Sequence, residues 1–274
     1  MPYLRIGLGI VLVYAVLVLL LWVFQERIAF PAPRARLPAP RDAGLPRGET
    51  IELKTASGTR LVGWYLPPAR PAGERFPALL WLYGNGETIA SIWPVLRDFQ
   101  PPGAALLVVD YPGYGASGGW ATEAAVYEAA DAAYDALHHR PGVDPSRIYV
   151  YGRSLGSAVA TRTAARHDVA GLILESPFTS ARAMARRHYG FFPRFILRLS
   201  LDNLATIRRV RCPVLIFHGT ADQLVPPEMG QEVAAAVPGP VELVLIEGAG
   251  HNDTYDMGWK SYRDRLARFV EGVR

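Results

Sequence analysis

Two rhythms of apolar and polar positions alternate along this chain. Short apolar runs closed by Gly, Pro, Asn or Asp are separated by longer stretches rich in Ala, Glu and Arg with helical spacing. The runs Pro77–Tyr83, Ala104–Asp110, Arg147–Tyr151, Val169–Leu174, Val214–His218 and Val241–Ile246 read as buried strands. Helices are predicted over Ser91–Phe99, Thr122–His139, Leu155–His167, Pro227–Val237 and Trp259–Val270. Thr122 is a natural N-cap; Glu123 and Glu128 lie toward the start of its helix and His138, His139 and Arg140 at its end, as the macrodipole prefers. Earlier, Thr50–Thr55 and Leu61–Leu66 flank Ser57-Gly58 and read as a hairpin. Apolar strands alternating with helices specify an α/β fold with a mostly parallel sheet covered on both faces. In such a sheet, chemistry belongs at the carboxyl ends of the strands.

The first segment follows neither rhythm. Ile6 to Phe24 carries no charge, and at ~1.5 Å per residue it spans about 28 Å, close to the ~30 Å hydrocarbon core of a bilayer. A cleavable signal peptide has an apolar region of only about 7–15 residues and a small-x-small cleavage site, and no such site precedes Pro31. Residues 1–27 are therefore expected to be a retained single-pass membrane anchor. Arg5 precedes the span whereas Arg27, Arg34, Arg36 and Arg41 follow it. The positive-inside rule then favours the cytoplasm for the rest of the chain. Residues 28–48, rich in Pro, Arg and Ala, read as an extended linker, and residues 49–274 as one domain.

Composition narrows the function without naming it. Half of the 274 residues are hydrophobic, so the bulk of the chain can bury a core. The net charge of +4 comes from scattered arginines and forms no dense basic run, so no nucleic-acid partner is expected. The single cysteine, Cys212, excludes an internal disulfide and a Cys-rich metal site. Neither a metal nor an organic cofactor is called for.

The chemistry concentrates at Gly152-Arg153-Ser154-Leu155-Gly156, between the strand ending at Tyr151 and the helix from Leu155. Gly-x-Ser-x-Gly between a strand and a helix is a nucleophile elbow. The sharp turn strains the serine backbone and exposes its hydroxyl, and glycines stand where a Cβ would strike neighbouring backbone. A serine there could equally cap the helix. A serine nucleophile needs a base. Of six histidines, His138, His139 and His167 lie near helix ends, His188 in an irregular stretch, and His218 at a strand end where a structural role suffices. His251 follows the last strand in a loop that Gly248 and Gly250 let fold back toward Ser154. It is the expected base. Asp222, in the loop after Val214–His218, is the expected acid that orients it. Asp222 could instead serve its own turn near Pro226-Pro227, which leaves Glu175 at an earlier strand end as the alternative. The amide of Leu155 is one expected oxyanion donor, and that of Asn85 in Gly84-Asn85-Gly86 the second.

These motifs give the chain a family resemblance. Residues 50–274 resemble the α/β-hydrolase superfamily in Leu82-Tyr83-Gly84-Asn85-Gly86, Asp110-Tyr111-Pro112-Gly113-Tyr114-Gly115, Gly152–Gly156, Glu175-Ser176-Pro177-Phe178, Asp222 and Gly250-His251. The chain order Ser154, Asp222, His251 is also the order of that fold. Within it, the chain is similar to membrane-anchored, serine-aminopeptidase-type hydrolases, grouped with acyl-protein thioesterases and lysophospholipase-like enzymes. The resemblance implies an eight-stranded sheet, a triad of Ser154, Asp222 and His251, and a small lid inserted at about 180–209. That group usually carries His where Tyr83 stands. Tyr83 can pack and donate a hydrogen bond but holds no charge near pH 7, so the oxyanion loop is expected to be supported differently.

Aromatic and aliphatic residues punctuated by Arg, from His188 to Leu199, suit the roof of an apolar pocket or contact with a membrane surface, although a helix packed on the core would use the same residues. Together with the apolar N-terminus this points to a carboxylic ester or thioester with an apolar acyl chain. A peptidase on the same fold and a membrane-tethered binding module with a decayed site are the two other classes.

Overall fold

The uncharged N-terminal run lies within one helix, α1 (Pro2–Ala29), whose mean hydropathy reaches 2.9 and which is long and apolar enough to cross a membrane. Most side chains from Tyr3 to Phe24 face outward, but Gln25 is buried and Phe30, just beyond the helix, joins the core. The computed structural model describes residues 2–70, 74–190 and 192–272. Phe191 of the expected lid, and Met1, Val273 and Arg274 at the ends of the expected segments, lie outside the described residues.

The stretch expected to be an extended linker is extended but not free. Pro33 accepts the Gly115 amide at 2.8 Å, Pro38 accepts the Trp64 indole N–H at 3.2 Å, and Pro40 and Ala43 are buried in a single 3-10 turn. Proline fits such a strap because its missing N–H has no partner to lose. The strap's carbonyls accept from the domain, and Arg34 and Arg47 donate back to the Ser117 and Pro68 carbonyls.

Eight strands form one sheet. β1 (Glu49–Lys54) and β2 (Arg60–Leu66) pair antiparallel across the turn at Gly58, whose φ of +84° suits glycine. Next come β3 (Phe76–Leu82), α2 (Ile89–Phe99), β4 (Ala105–Val109), α3 (Glu123–His138), β5 (Val143–Arg153) and α4 (Leu155–Arg166). β6 (Gly171–Glu175) leads through α5 (Ala181–His188) and α6 (Asn203–Thr206) to β7 (Val214–Gly219), α7 (Pro227–Ala235), β8 (Val241–Ile246) and α8 (Thr254–Glu271). The strand order is β1-β2-β4-β3-β5-β6-β7-β8, antiparallel through β1-β2-β4 and parallel from there on. β4 and β6 are buried along their whole length and β3 from Pro77 on, as their unbroken apolar runs require when helices cover both faces.

Element ends differ from the sequence reading where pairing rather than pattern decides. β5 starts at Val143, ahead of Pro145, because Phe76 pairs Val143 and a register shift lets the proline segment bulge out before Ala78 pairs Ile148. α8 begins at Thr254 instead of Trp259. Its first turn is separated from the rest by Trp259, whose backbone leaves helical values (φ 20°, ψ −101°). The Thr122 cap forms as expected, its hydroxyl accepting the Ala125 amide at 3.1 Å.

Candidate active site

The elbow is built where β5 hands over to α4. Ser154 has φ 49° and ψ −115°, a strained conformation for a residue with a side chain. Its amide is held by the Glu175 carbonyl at 2.9 Å. A Cβ on Gly152 would lie 2.3 Å from the Gly156 carbonyl oxygen, and one on Gly156 only 2.1 Å from that of Leu82. Both glycines are therefore demanded by backbone crossing backbone. The Ser154 hydroxyl makes no cap to α4, so the helix-capping alternative is not realised.

That hydroxyl faces His251 instead. Nε2 of His251 lies 3.0 Å from Ser154 Oγ, and Nδ1 lies 2.7 Å from Asp222 Oδ2. A carboxylate only accepts, so Nδ1 carries the proton and Nε2 is left to accept from the serine. Asp222 serves its turn as well: Oδ1 accepts the Leu224 amide at 3.0 Å and the Val225 amide at 2.8 Å. The two sequence readings of Asp222 are thus compatible, one oxygen each. Burial pushes this carboxyl up, but hydrogen bonds from His218 and His251, attraction to the His251 ring once it is protonated and the Val225 amide outweigh it and hold it below the usual carboxylate range. His218, fully buried, donates Nε2–H to the Val225 carbonyl at 2.8 Å with Asp222 Oδ2 3.5 Å away, and so frames the acid loop. Glu175, the alternative acid, does not bond to His251. Asp253 accepts the Gly250 amide at 2.6 Å and shapes the base loop.

The other histidines lie elsewhere: His167 on Asp131 at 2.8 Å, His139 on the Asp135 carbonyl at 2.8 Å, His138 beside the Tyr134 ring, and His188 on the Leu224 carbonyl at 3.2 Å. Among the described residues no group of three or more His, Cys, Asp or Glu could hold a metal ion.

Leu155 and Asn85 line the same cavity as Ser154. As the first residue of α4, Leu155 has an amide with no intrahelical acceptor, at the positive end of the helix. The Asn85 side chain is tied elsewhere, Nδ2 donating to the Ala29 carbonyl and Oδ1 accepting the Tyr114 hydroxyl, both at 2.8 Å.

Tyr83 supports this loop without a charge of its own. Its buried hydroxyl donates to Asp110 Oδ1 at 3.1 Å and accepts the Tyr111 amide at 3.0 Å, while the Tyr111 hydroxyl donates to the Tyr83 carbonyl at 3.1 Å. Asp110 also accepts the amides of Ile89 and Ala116. Burial raises both the Tyr83 phenol and the Asp110 carboxyl above their ordinary values. Tyr83→Phe removes the acceptor of a buried amide and should cost about 1–3 kcal/mol; thermal unfolding of the variant against wild type measures it.

The sequence reading missed Arg153, the residue between Gly152 and Ser154. It is buried and donates to four partners: Glu87, Glu175, the His251 carbonyl at 2.7 Å and Asn252 Oδ1 at 2.8 Å. Glu87 in turn accepts the Gly84 amide at 2.6 Å. Glu175 accepts from the hydroxyls of Tyr151, Tyr262 and Thr254. One guanidinium thereby joins the oxyanion loop, the elbow and the base loop. The available signal was an arginine inside the elbow, with one glutamate ending a neighbouring strand and another in the loop after the other neighbour.

The sequence profile described as the alpha/beta hydrolase fold matches residues 77–209. The chain is 33% identical over 264 residues to an uncharacterised protein of Mycobacterium tuberculosis, covering 95% of this chain and 92% of that protein. It is 38% identical over 167 residues to the human alpha/beta hydrolase domain-containing protein 17B, covering 59% of this chain and 54% of the human protein. Among solved structures it is similar to the Pyrococcus furiosus esterase Pf2001, with a TM-score of 0.71 and 22% identity over 88% of this chain and 98% of that one. At that identity the likeness speaks to the fold alone.

Proposed function

Because the chain belongs to the α/β-hydrolase superfamily, we propose that it is a serine hydrolase cleaving carboxylic ester or thioester bonds with apolar acyl chains through an acyl-enzyme. The observation that carries this reading is the continuous chain of contacts from Ser154 Oγ through His251 to Asp222. As the hydroxyl attacks the carbonyl carbon, His251 Nε2 takes its proton and Asp222 stabilises the resulting imidazolium. The amides of Leu155 and Asn85 receive the oxyanion. His251 then passes the proton to the leaving oxygen or sulfur, and water repeats the sequence on the acyl-enzyme. Asp222, held ionised by its surroundings, needs no proton of its own in any step.

The substrate class rests on a cavity of about 530 Å³ over Ser154, walled chiefly by apolar side chains such as Met184, Leu197, Leu199 and Phe178, a size usual for ligand sites. α1 then acts as the single-pass anchor, with residues 49–274 as the hydrolase domain on the cytoplasmic side.

Fluorophosphonate labelling with peptide mapping, followed by turnover of p-nitrophenyl esters from acetate to octanoate and of matching thioesters, tests the reading. Labelling is expected on Ser154, and kcat/KM is expected to rise along the series by up to about fourfold per fully buried methylene. An unlabelled Ser154 rejects hydrolysis, and a flat series rejects the apolar pocket. An unblocked aminoacyl amide cleaved faster than any ester would make the protein a peptidase.

A further inference from the structure

We infer that the membrane-spanning helix is itself a wall of the substrate site, so that the acyl chain of a bilayer-resident substrate reaches Ser154 along α1 rather than from water. This rests on the hydrolase reading above and adds the route and the specificity element.

The last turns of α1 do not simply emerge beside the domain. They are fastened to both sides of the candidate catalytic cavity. On the oxyanion side, the Ala29 carbonyl accepts from the Asn85 side chain at 2.8 Å, and Phe30 is buried in the core. On the side of the segment between β6 and β7, Gln25 spends its whole amide. Nε2 donates to the Trp22 carbonyl at 2.9 Å and to the Ile196 carbonyl at 3.1 Å, and Oε1 accepts the Arg198 amide at 2.7 Å. The Arg198 guanidinium donates to the Trp22 carbonyl at 3.1 Å and sits 4.9 Å from the centre of its ring. Gln25 is the first amide side chain after an uncharged run, and it is 8% exposed while Phe24 and Ile28 are 43% and 49% exposed. A polar group placed there, with one N–H and its oxygen both bonded to the neighbouring segment, fixes the rotation of the helix against the domain.

That rotation turns Leu21, Gln25 and Ile28 into the cavity that Ser154 and Leu155 line from the other end. α1 has 28 residues, about 42 Å at ~1.5 Å each, which exceeds a ~30 Å hydrocarbon core. The apolar run ends at Phe24 and the first charge is Glu26, so the level of Trp22 and Gln25 is the headgroup boundary, where Trp and Arg are the favoured side chains. The cavity wall formed by Leu21 is thus continuous with the lipid-facing surface of the same helix. A chain sliding along it passes from acyl tails to cavity without meeting bulk water.

The full-length protein in phosphatidylcholine nanodiscs is the test, with a long-chain alkyl fluorophosphonate carrying a diazirine at the chain end. After reaction and illumination, adducts are expected within residues 21–29. A probe that labels Ser154 while its tail crosslinks only to the segment between β6 and β7, or to lipid, overturns this inference and leaves the hydrolase reading standing; no label on Ser154 overturns both. Independently, Leu21→Trp and Ile28→Trp should lower the ratio of dodecanoyl to acetyl ester turnover by tenfold or more. A ratio unchanged in both variants rejects α1 as a wall.

Discussion

Replacing Ser154 by alanine is expected to lower kcat by about four to six orders of magnitude, with the fold intact. Among the described residues its hydroxyl bonds only to His251 and caps nothing, so no structural contact is lost. A companion variant separates chemistry from strain. Ser154 sits at φ 49°, ψ −115°, a conformation that costs a side-chain-bearing residue about 1–3 kcal/mol. Glycine relieves that strain but loses about 0.5–1 kcal/mol to its freer unfolded chain. Ser154→Gly should therefore be as inactive as Ser154→Ala yet more stable by about 1 kcal/mol, or ~2–4 °C in Tm. Ester turnover and calorimetry on the two variants measure both effects. A glycine variant less stable than the alanine variant would contradict the strained elbow, and residual activity near wild type would reject Ser154 as nucleophile.

The second large effect belongs to Arg153. Taking away one partner of a buried ion pair leaves the others uncompensated, and here Glu175 is wholly buried with Arg153 as its cation. Arg153→Met should cost about 3–5 kcal/mol and lower Tm by ~6–20 °C. The guanidinium is held charged because the Glu175 and Glu87 carboxylates raise it further than burial lowers it. Neutralising the partner in Arg153→Met/Glu175→Gln should recover part of the loss, an interaction that only contacting residues show. Activity is affected separately. Without the bond to the His251 carbonyl the base loop shifts, and a displacement of about 1 Å can cost about a hundredfold in rate. A fall in kcat with KM little changed, persisting in the restabilised double variant, is the expected signature of a positioning residue. If the double variant regains full kcat, Arg153 acts on stability alone.

The chain displayed some of this openly and concealed the rest. The order of strands and helices was legible because a sheet covered on both faces needs unbroken apolar runs, and β3, β4 and β6 have them. The residues that now stand together, Ser154, His251 and Asp222, could be singled out because the elbow glycines and the loops after β7 and β8 have few other uses. Strand and helix ends were less legible. The start of β5 depends on which residue of β3 it meets, and that of α8 on a break at Trp259 that no local pattern announces.

What the amino-acid sequence determined by itself was therefore everything set by neighbours along the chain: the apolar periods, the cap at Thr122, the glycines an elbow cannot do without and an uncharged helix long enough for a bilayer. What only the tertiary structure decided were the partnerships between distant residues. Asp222 could divide its two oxygens between a turn and His251, Arg153 could tie three loops at once, and Gln25 could seat α1 against the cavity only after the fold had brought those groups within hydrogen-bond reach. Hydrogen bonds and ion pairs act over a few ångströms of space, whatever the separation along the chain, and a linear pattern carries no record of that distance.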